Sequence, residues 1–343
     1  MSFARIRTIA RLELTQRLRS VGWYVLVGVF VLLLIGITAL SFLVFSFQSE
    51  PNAGVYSIVV NFVLLLVVLV SPTLSGNAIN GDREAATLAP IQVTAATTGD
   101  IMLGKLLAAV ATGTVFLVIA VPFLLISMLG GGVSVGVLLS SLLVLLAEII
   151  VVAAVGVGLS GLIARPLFSI AATYLAVSAL VLGTVIVFGL GGAAIRTEFT
   201  QQERPWDDST GEPICDSWTE TTVEQPRFDL VWGALAANPF VVLADATPTT
   251  FRDGYPTDLF GQLKVGVRLA QRAPEPMRWD PCDNGWENSW ESGPTPEELV
   301  KGTVPSWFVG LGVQVLVAGG LFAGAWARTR TPARRLPPGT RIA

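Results

Sequence analysis

Six stretches of this chain are each long enough and apolar enough to cross a lipid bilayer, and only a membrane-embedded fold accommodates all of them. They run over Gly22–Phe47, Val55–Ile79, Ile101–Leu129, Ser134–Ala164, Leu167–Ile195 and Pro305–Ala327. A spanning helix needs about 20 mostly apolar residues. Hydrocarbon offers the backbone no water to bond, so each such segment must satisfy its own N–H and C=O groups as a helix. A hydrophobic fraction of 52% against 14% charged residues agrees. The expected fold class is an all-α polytopic membrane protein with six transmembrane helices. The first stretch reads as a retained anchor, because its apolar run exceeds the roughly 7–15 residues of a secretory signal and no small-residue cleavage site follows.

Charge sets the expected orientation. Arg5, Arg7, Arg11, Arg17 and Arg19 precede the first span, and Arg328, Arg330, Arg334, Arg335 and Arg341 follow the last. Six spans put both termini on one side, and the positive-inside rule makes that side the cytoplasm. The chain then divides into a cytoplasmic interfacial helix (1–21), spans one to five (22–196) with a polar cytoplasmic island at about 80–100, an extracytoplasmic domain (197–303), span six (304–327) and a basic cytoplasmic tail (328–343). The location implied is the cell membrane, multi-pass. From Arg196 to Lys301 there are nineteen Asp/Glu and nine Lys/Arg. Long loops cross largely regardless of such charge. Cys215 and Cys282 both fall in this segment, where oxidation is permitted. A disulfide between them, worth about 4 kcal/mol of loop entropy, is expected over two unrelated free thiols.

Residues 2–20 read as an amphipathic helix for the headgroup layer. Phe3, Ile6, Ile9, Ala10 and Leu14 share one face, Arg7, Arg11 and Arg19 the other, and Leu12 and Arg17 spoil the stripe. Trp23, Tyr24, Trp307 and Trp326 suit an interfacial aromatic belt. In the extracytoplasmic domain, Phe228–Ala246 is apolar but broken at Asn238-Pro239. Two readings stay open for it, a broken helix dipping toward the membrane under protein cover and a plain core helix of the domain.

The chain has no histidine, which removes His-based triads, His metal sites and the usual proton shuttle near neutral pH. Gly99–Lys105 fits G-x4-G-K, but Leu106 stands where a phosphate loop needs Ser or Thr for magnesium. Lys105 is better read as a snorkelling anchor, and no ATPase site or other enzyme activity is expected on this chain. Glu148 lies mid-way along span four, with a structural hydrogen bond to a neighbouring helix or a part in substrate passage as its two readings. Asn61 in span two suggests an interhelical contact. Gly320 with Gly324, and Gly156, Gly158 and Gly161, suggest close helix packing. Asp280, Asp283, Asn284, Glu287 and Glu291 lack EF-hand spacing and read as a solvated acidic surface. No metal site is expected.

The polar island Asp82-Arg83-Glu84-Ala85-Ala86-Thr87-Leu88, followed by Ile101-Met102-Leu103-Gly104-Lys105, resembles the signature of ABC-2 type permeases, the membrane subunits of ABC exporters. That pattern runs roughly E-R-E-x-G-T-L, then T-P, then I-x-x-G-K at the third span. Arg83, Glu84, Thr87, Leu88, Gly104 and Lys105 match, while Asp82, Ala86 and Ala95 depart from it. The large loop before the last span is also similar to that of the G-subfamily sterol and multidrug half-transporters, which fuse their ATPase to the same chain.

The resemblance implies that the island is a coupling helix seated on a separate nucleotide-binding subunit, with Asp82, Arg83, Glu84, Thr87 and Leu88 making the contact. The expected assembly holds two ABC ATPase subunits, which carry the ATP and magnesium, and a second permease chain, identical or not, in contact with membrane lipid. No nucleic acid and no cofactor on this chain are expected. The expected function is the permease subunit of an exporter moving an apolar or amphipathic cargo such as a lipid, drug or peptide, along a path lined by spans two and five, which carry no charge. The alternative is a non-transporting complex in which ATP hydrolysis drives the outer domain to act on an extracytoplasmic partner. An ion-coupled carrier, the third class, finds few membrane charges to work with.

Overall fold

The structure is a computed structural model that describes residues 2–46, 53–85, 96–275, 278–282 and 294–329. Six helices have the length and apolarity to cross a membrane: Val21–Phe45, Gly54–Glu84, Thr98–Gly130, Val135–Leu162, Pro166–Ala194 and Ser306–Thr329. They are spans one to six. The protein is a multi-pass, membrane-embedded helical protein, and its spans match the apolar stretches of the sequence to within a few residues at most ends.

Spans two, three and four make the centre. Val59, Val60, Val63 and Leu64 of span two, Phe116 and Leu124 of span three, and Leu145 and Ile149 of span four are almost wholly buried. Span one lies against this centre through Phe30 and Leu34. Trp23 is buried as well, edge-on to Phe116 with ring centroids 5.2 Å apart. It belongs to the packing, whereas Tyr24 beside it is exposed.

Small residues decide how closely the helices approach. A Cβ on Gly158 would lie 2.9 Å from the Leu321 backbone, one on Gly161 2.6 Å from Ala325 Cβ, and one on Gly156 2.0 Å from Ser75 Oγ. The span-four glycines therefore carry spans two and six against them, as expected of small residues at membrane helix contacts. The pair on span six does not: Gly320 meets nothing within 4 Å, and Gly324 only the tip of Leu162. Asn61 also departs from expectation, since its amide donates to Ser57 O of its own helix at 2.7 Å.

Span five is the most peripheral. It is tied to span two by Ser169 Oγ donating to Gly76 O at 2.5 Å and by Tyr174 Oη donating to Leu69 O at 3.0 Å. A π-helical turn interrupts it at Ala179–Gly183, where one extra residue per turn redirects backbone carbonyls.

The segment between spans five and six is not all-α. Strand β1 (Arg196–Glu203) pairs antiparallel with β2 (Thr219–Pro226), with Phe199 opposite Val223. A short strand, Arg278–Trp279, runs parallel to Gln202–Glu203. Thr-rich runs with a few apolar residues favour extended backbone, yet they alternate too weakly to announce a strand. Cys215 and Cys282 are disulfide-bonded, with Cα atoms 5.9 Å apart. Arg204 organises the neighbourhood: it pairs with both Asp280 oxygens at 3.1 Å, donates to Cys215 O and stacks 3.8 Å over Trp218.

The Phe228–Ala246 stretch is a broken helix covered by protein. Helix Trp232–Ala236 ends at Ala237-Asn238, and helix Pro239–Ala246 begins with Pro at its first position. From Ala236 to Asp245 all but Phe240 are buried. A Cβ on Gly310 of span six would lie 1.9 Å from Ala236 O, so glycine is needed there for the two to meet.

Candidate functional site

At the end carrying the N-terminal helix, a polar lattice joins four elements. Span three opens with a capping box: Thr97 Oγ1 accepts from the Asp100 N–H at 3.2 Å and Asp100 Oδ2 accepts from the Thr97 N–H at 3.0 Å. The same carboxylate accepts from Ser2 N at 2.9 Å and from Arg5 Nε at 2.9 Å. It thus fastens the start of helix Phe3–Leu18 to the start of span three. One turn on, the helix lies directly on Gly104, where a Cβ would come within 2.8 Å of Ile9 Cβ and 3.1 Å of Ile6 O. The apolar side of the helix, Ile6, Ile9 and Ala10, meets protein there, while Phe3 points away and is 78% exposed.

Lys105 follows Gly104 and is not a snorkelling side chain. It is buried, with its ammonium 2.7 Å from Asp82 Oδ2 and also bonded to Glu13. Asp82 lies in the short helix Asn80–Glu84 that ends span two. The lysine therefore bridges span two, span three and the N-terminal helix. Arg17 completes the lattice, donating to Leu74 O of span two at 2.6 Å and to Thr112 Oγ1 of span three at 3.2 Å. Burial is the main influence on Arg17 and lowers its pKa; the nearby Glu13 acts the other way.

The island is anchored on its other flank by span four. Ser160 Oγ accepts from the N–H groups of Ile79 and Asn80 at 2.9 and 3.1 Å. Asn80 Nδ2 donates to Ile163 O at 2.5 Å. Arg83 donates to Asn80 Oδ1 and to Gly161 O at 3.3 and 3.4 Å. Asp82 and Arg83 thus point back into the protein, whereas Glu84 and Ala85 are exposed. Thr87 and Leu88 lie outside the described residues. Residues Gly99–Lys105 run as continuous helix within span three, whereas a phosphate loop must turn its backbone N–H groups toward the ligand.

A second polar knot sits where the broken helix meets the spans. Asn238 Nδ2 donates to Val181 O at 2.7 Å and Thr184 Oγ1 at 2.9 Å, both at the π-helical turn of span five. Its Oδ1 accepts from Phe240 N at 2.9 Å, capping the next helix. Gln314 of span six donates to Ala237 O at 3.0 Å. Glu148 of span four is fully buried and interacts with Gln314, although neither carboxylate oxygen makes a hydrogen bond of good geometry. Spans four, five and six are thereby joined through a gap in one helix.

Further along, Asp245 accepts from Arg268 Nε and Nη2 at 2.9 and 3.1 Å, from Ser306 Oγ at 2.9 Å and from Trp307 N at 3.0 Å. It caps span six from another element, while Arg268 also donates to Thr303 O at 2.7 Å. Lys264 is buried nearby and donates to Thr247 O at 2.7 Å; burial lowers its pKa, and Asp245 partly opposes this.

Sequence reasoning missed Asp100, Glu13, Gln314, Asn238 as a donor, and Asp245. Only the Thr97-x-x-Asp100 box before an apolar run carried a local signal for its role. Among the described residues no group of three His, Cys, Asp or Glu is placed to hold a metal ion. Of the acidic cluster, Asp280 pairs with Arg204, and Asp283, Asn284, Glu287 and Glu291 lie outside the described residues. No family model matches the chain, and no curated protein matches it.

Proposed function

We propose that this chain is the permease subunit of an ATP-driven exporter for an apolar or amphipathic cargo, powered by ATPase subunits on separate chains. In this reading two ATPase subunits serve two permease chains, both termini face the cytoplasm, and the end of span two with Glu84 outermost is the coupling helix. One observation carries it: buried Lys105 holds Asp82 and Glu13 together. A displacement applied at Glu84 then moves span two, span three and the N-terminal helix as one body instead of bending a loose turn. Ser160 and Asn80 extend the same rigidity to span four. The chemistry of ATP and magnesium belongs to the partner chains.

The test is affinity purification of the full chain from solubilised membranes, with ATPase activity measured on the eluate. Glu84→Lys is the probe, because Glu84 is exposed and its reversal leaves the lattice whole. Arg83→Ala would be a poor probe, since Arg83 bonds within the turn and to span four. An ATPase that co-purifies with the natural chain and is lost with Glu84→Lys, at unchanged thermal stability, supports the reading. No ATPase with either chain overturns it.

A further inference from the structure

At the end opposite the N-terminal helix, a cleft of about 720 Å³ lies between span five and the domain that follows it. That volume falls within the roughly 300–1,000 Å³ of small-molecule sites. Its floor is aromatic: Phe188 of span five and Phe228, with ring centroids 5.1 Å apart. Phe228 is held there by Gly192, where a Cβ would lie 2.1 Å from its ring. Val265 and Leu269 of helix Leu259–Leu269 form one wall, and Leu299 the other. Leu269 is 58% exposed and turns that surface to the cleft.

Two features point to the occupant. Phe188 lies six residues before the end of span five at Ala194, about 9 Å down the helix, with the exposed Val185 one turn away on the same face. The cleft floor is thus continuous with exposed apolar surface of a membrane span. At the rim, Arg272 pairs with the exposed Glu275, which lines the cleft as well. A solvent-exposed pair of this kind is weak, so an anionic head that offers the guanidinium two parallel bonds would take the place of Glu275.

We infer that the cleft binds an anionic acyl-chain lipid from the adjoining leaflet, its chain against Phe188, Phe228 and Leu269 and its head at Arg272. This adds a station for cargo to the transport reading, but occupancy needs only the membrane and this chain. Its failure would leave the ATPase result standing, and the reverse holds too.

The full chain, purified and reconstituted in lipid nanodiscs, would be labelled with a photoactivatable fatty acid and the labelled peptides mapped by mass spectrometry. A photoactivatable phosphatidylcholine serves as the zwitterionic comparison. Gly266 lines the cleft, and a Cβ there meets nothing within 4 Å, so Gly266→Trp enters the space with no clash at its Cβ, and an unchanged thermal midpoint checks that the fold is kept. Labelling of the 259–273 peptide by the fatty acid should fall about tenfold in Gly266→Trp, and by a similar factor in Arg272→Glu, the effect of losing one charge-assisted contact. Labelling of span one should not change. Equal cleft labelling in Gly266→Trp, or labelling confined to the spans in the natural chain, overturns the site. Equal cleft labelling by phosphatidylcholine overturns the anionic assignment.

Discussion

The ammonium of Lys105 lies 2.7 Å from Asp82 Oδ2, with 2% of the lysine side chain exposed, so a carboxylate in the last turn of span two is neutralised from span three. Ion pairs inside a protein are costly to break from one side only, because the remaining charge loses its partner without regaining water. Lys105→Met should therefore destabilise the chain by about 2–3 kcal/mol, less than a fully buried pair because Asp82 and Glu13 each keep some exposure. Lys105→Met/Asp82→Asn should recover part of the loss. Thermal unfolding in detergent measures both, and an unchanged midpoint in the single variant would refute the role of the bridge.

Gly104 tests the seat of the N-terminal helix. A Cβ at this position would press within 2.8 Å of Ile9, so Gly104→Val should lift the helix from span three. Ala10, buried against that surface, can report it as Ala10→Cys. A thiol reagent should modify this cysteine slowly in the otherwise natural chain and at least several-fold faster with Gly104→Val. Equal rates in the two backgrounds would show that the helix does not depend on this contact.

Gln314 and Glu148 should behave differently although they touch. Gln314→Leu leaves Ala237 O without its donor at the break in the helix, and an unmet buried acceptor costs about 1–3 kcal/mol. Glu148→Gln removes a buried acid that makes no well-formed hydrogen bond, so it should leave the unfolding midpoint unchanged or raise it. Under the proposed exporter reading it should also leave export intact, and loss of export with Glu148→Gln would favour an ion-coupled carrier.

The disulfide joins residues 67 apart in sequence, and closing a loop of that size stabilises by about 4 kcal/mol in the chain-entropy picture. Arg204 holds the same two flanks through Cys215 O and Asp280. Cys215→Ser/Cys282→Ser should therefore cost less than that value, and adding Arg204→Ala should cost more than Arg204→Ala does in the oxidised protein. Urea unfolding followed by tryptophan fluorescence measures the coupling; simple additivity would show that the two restraints act independently.

Acid should loosen the domain between spans five and six. Asp207 is held below its ordinary 3.8 chiefly by the Ser209 hydroxyl, Asp229 by Arg227, and Glu298 below 4.5 chiefly by the Thr295 backbone. A depressed carboxylate binds fewer protons folded than unfolded, so its stabilisation is complete above the ordinary value and lost as pH falls through the depressed one. Lys264, lowered mainly by burial, has the same sign in a window just below 10.5. The urea midpoint should fall between about pH 5 and pH 2. A flat profile there would remove these hydrogen bonds from the account of stability.

Hydropathy alone located the six spans, because the cost of unpaired backbone in lipid leaves a long apolar run only one conformation. The cysteine pair was legible for a similarly local reason, two thiols in one long segment. The strands β1 and β2 were not, since their stability comes from pairing across a register that neither run contains by itself. Polar roles were the least legible. Arg83, Asp82 and Lys105 look alike in sequence, as charges beside membrane helices. Packing alone decided that Asp82 and Lys105 neutralise each other, that Arg83 folds back on Asn80 and Gly161, and that Glu84 faces outward. Hydrophobicity is a property each segment carries along its length, whereas the partner of a charge is set by which helices glycines such as Gly104 and Gly161 allow to touch.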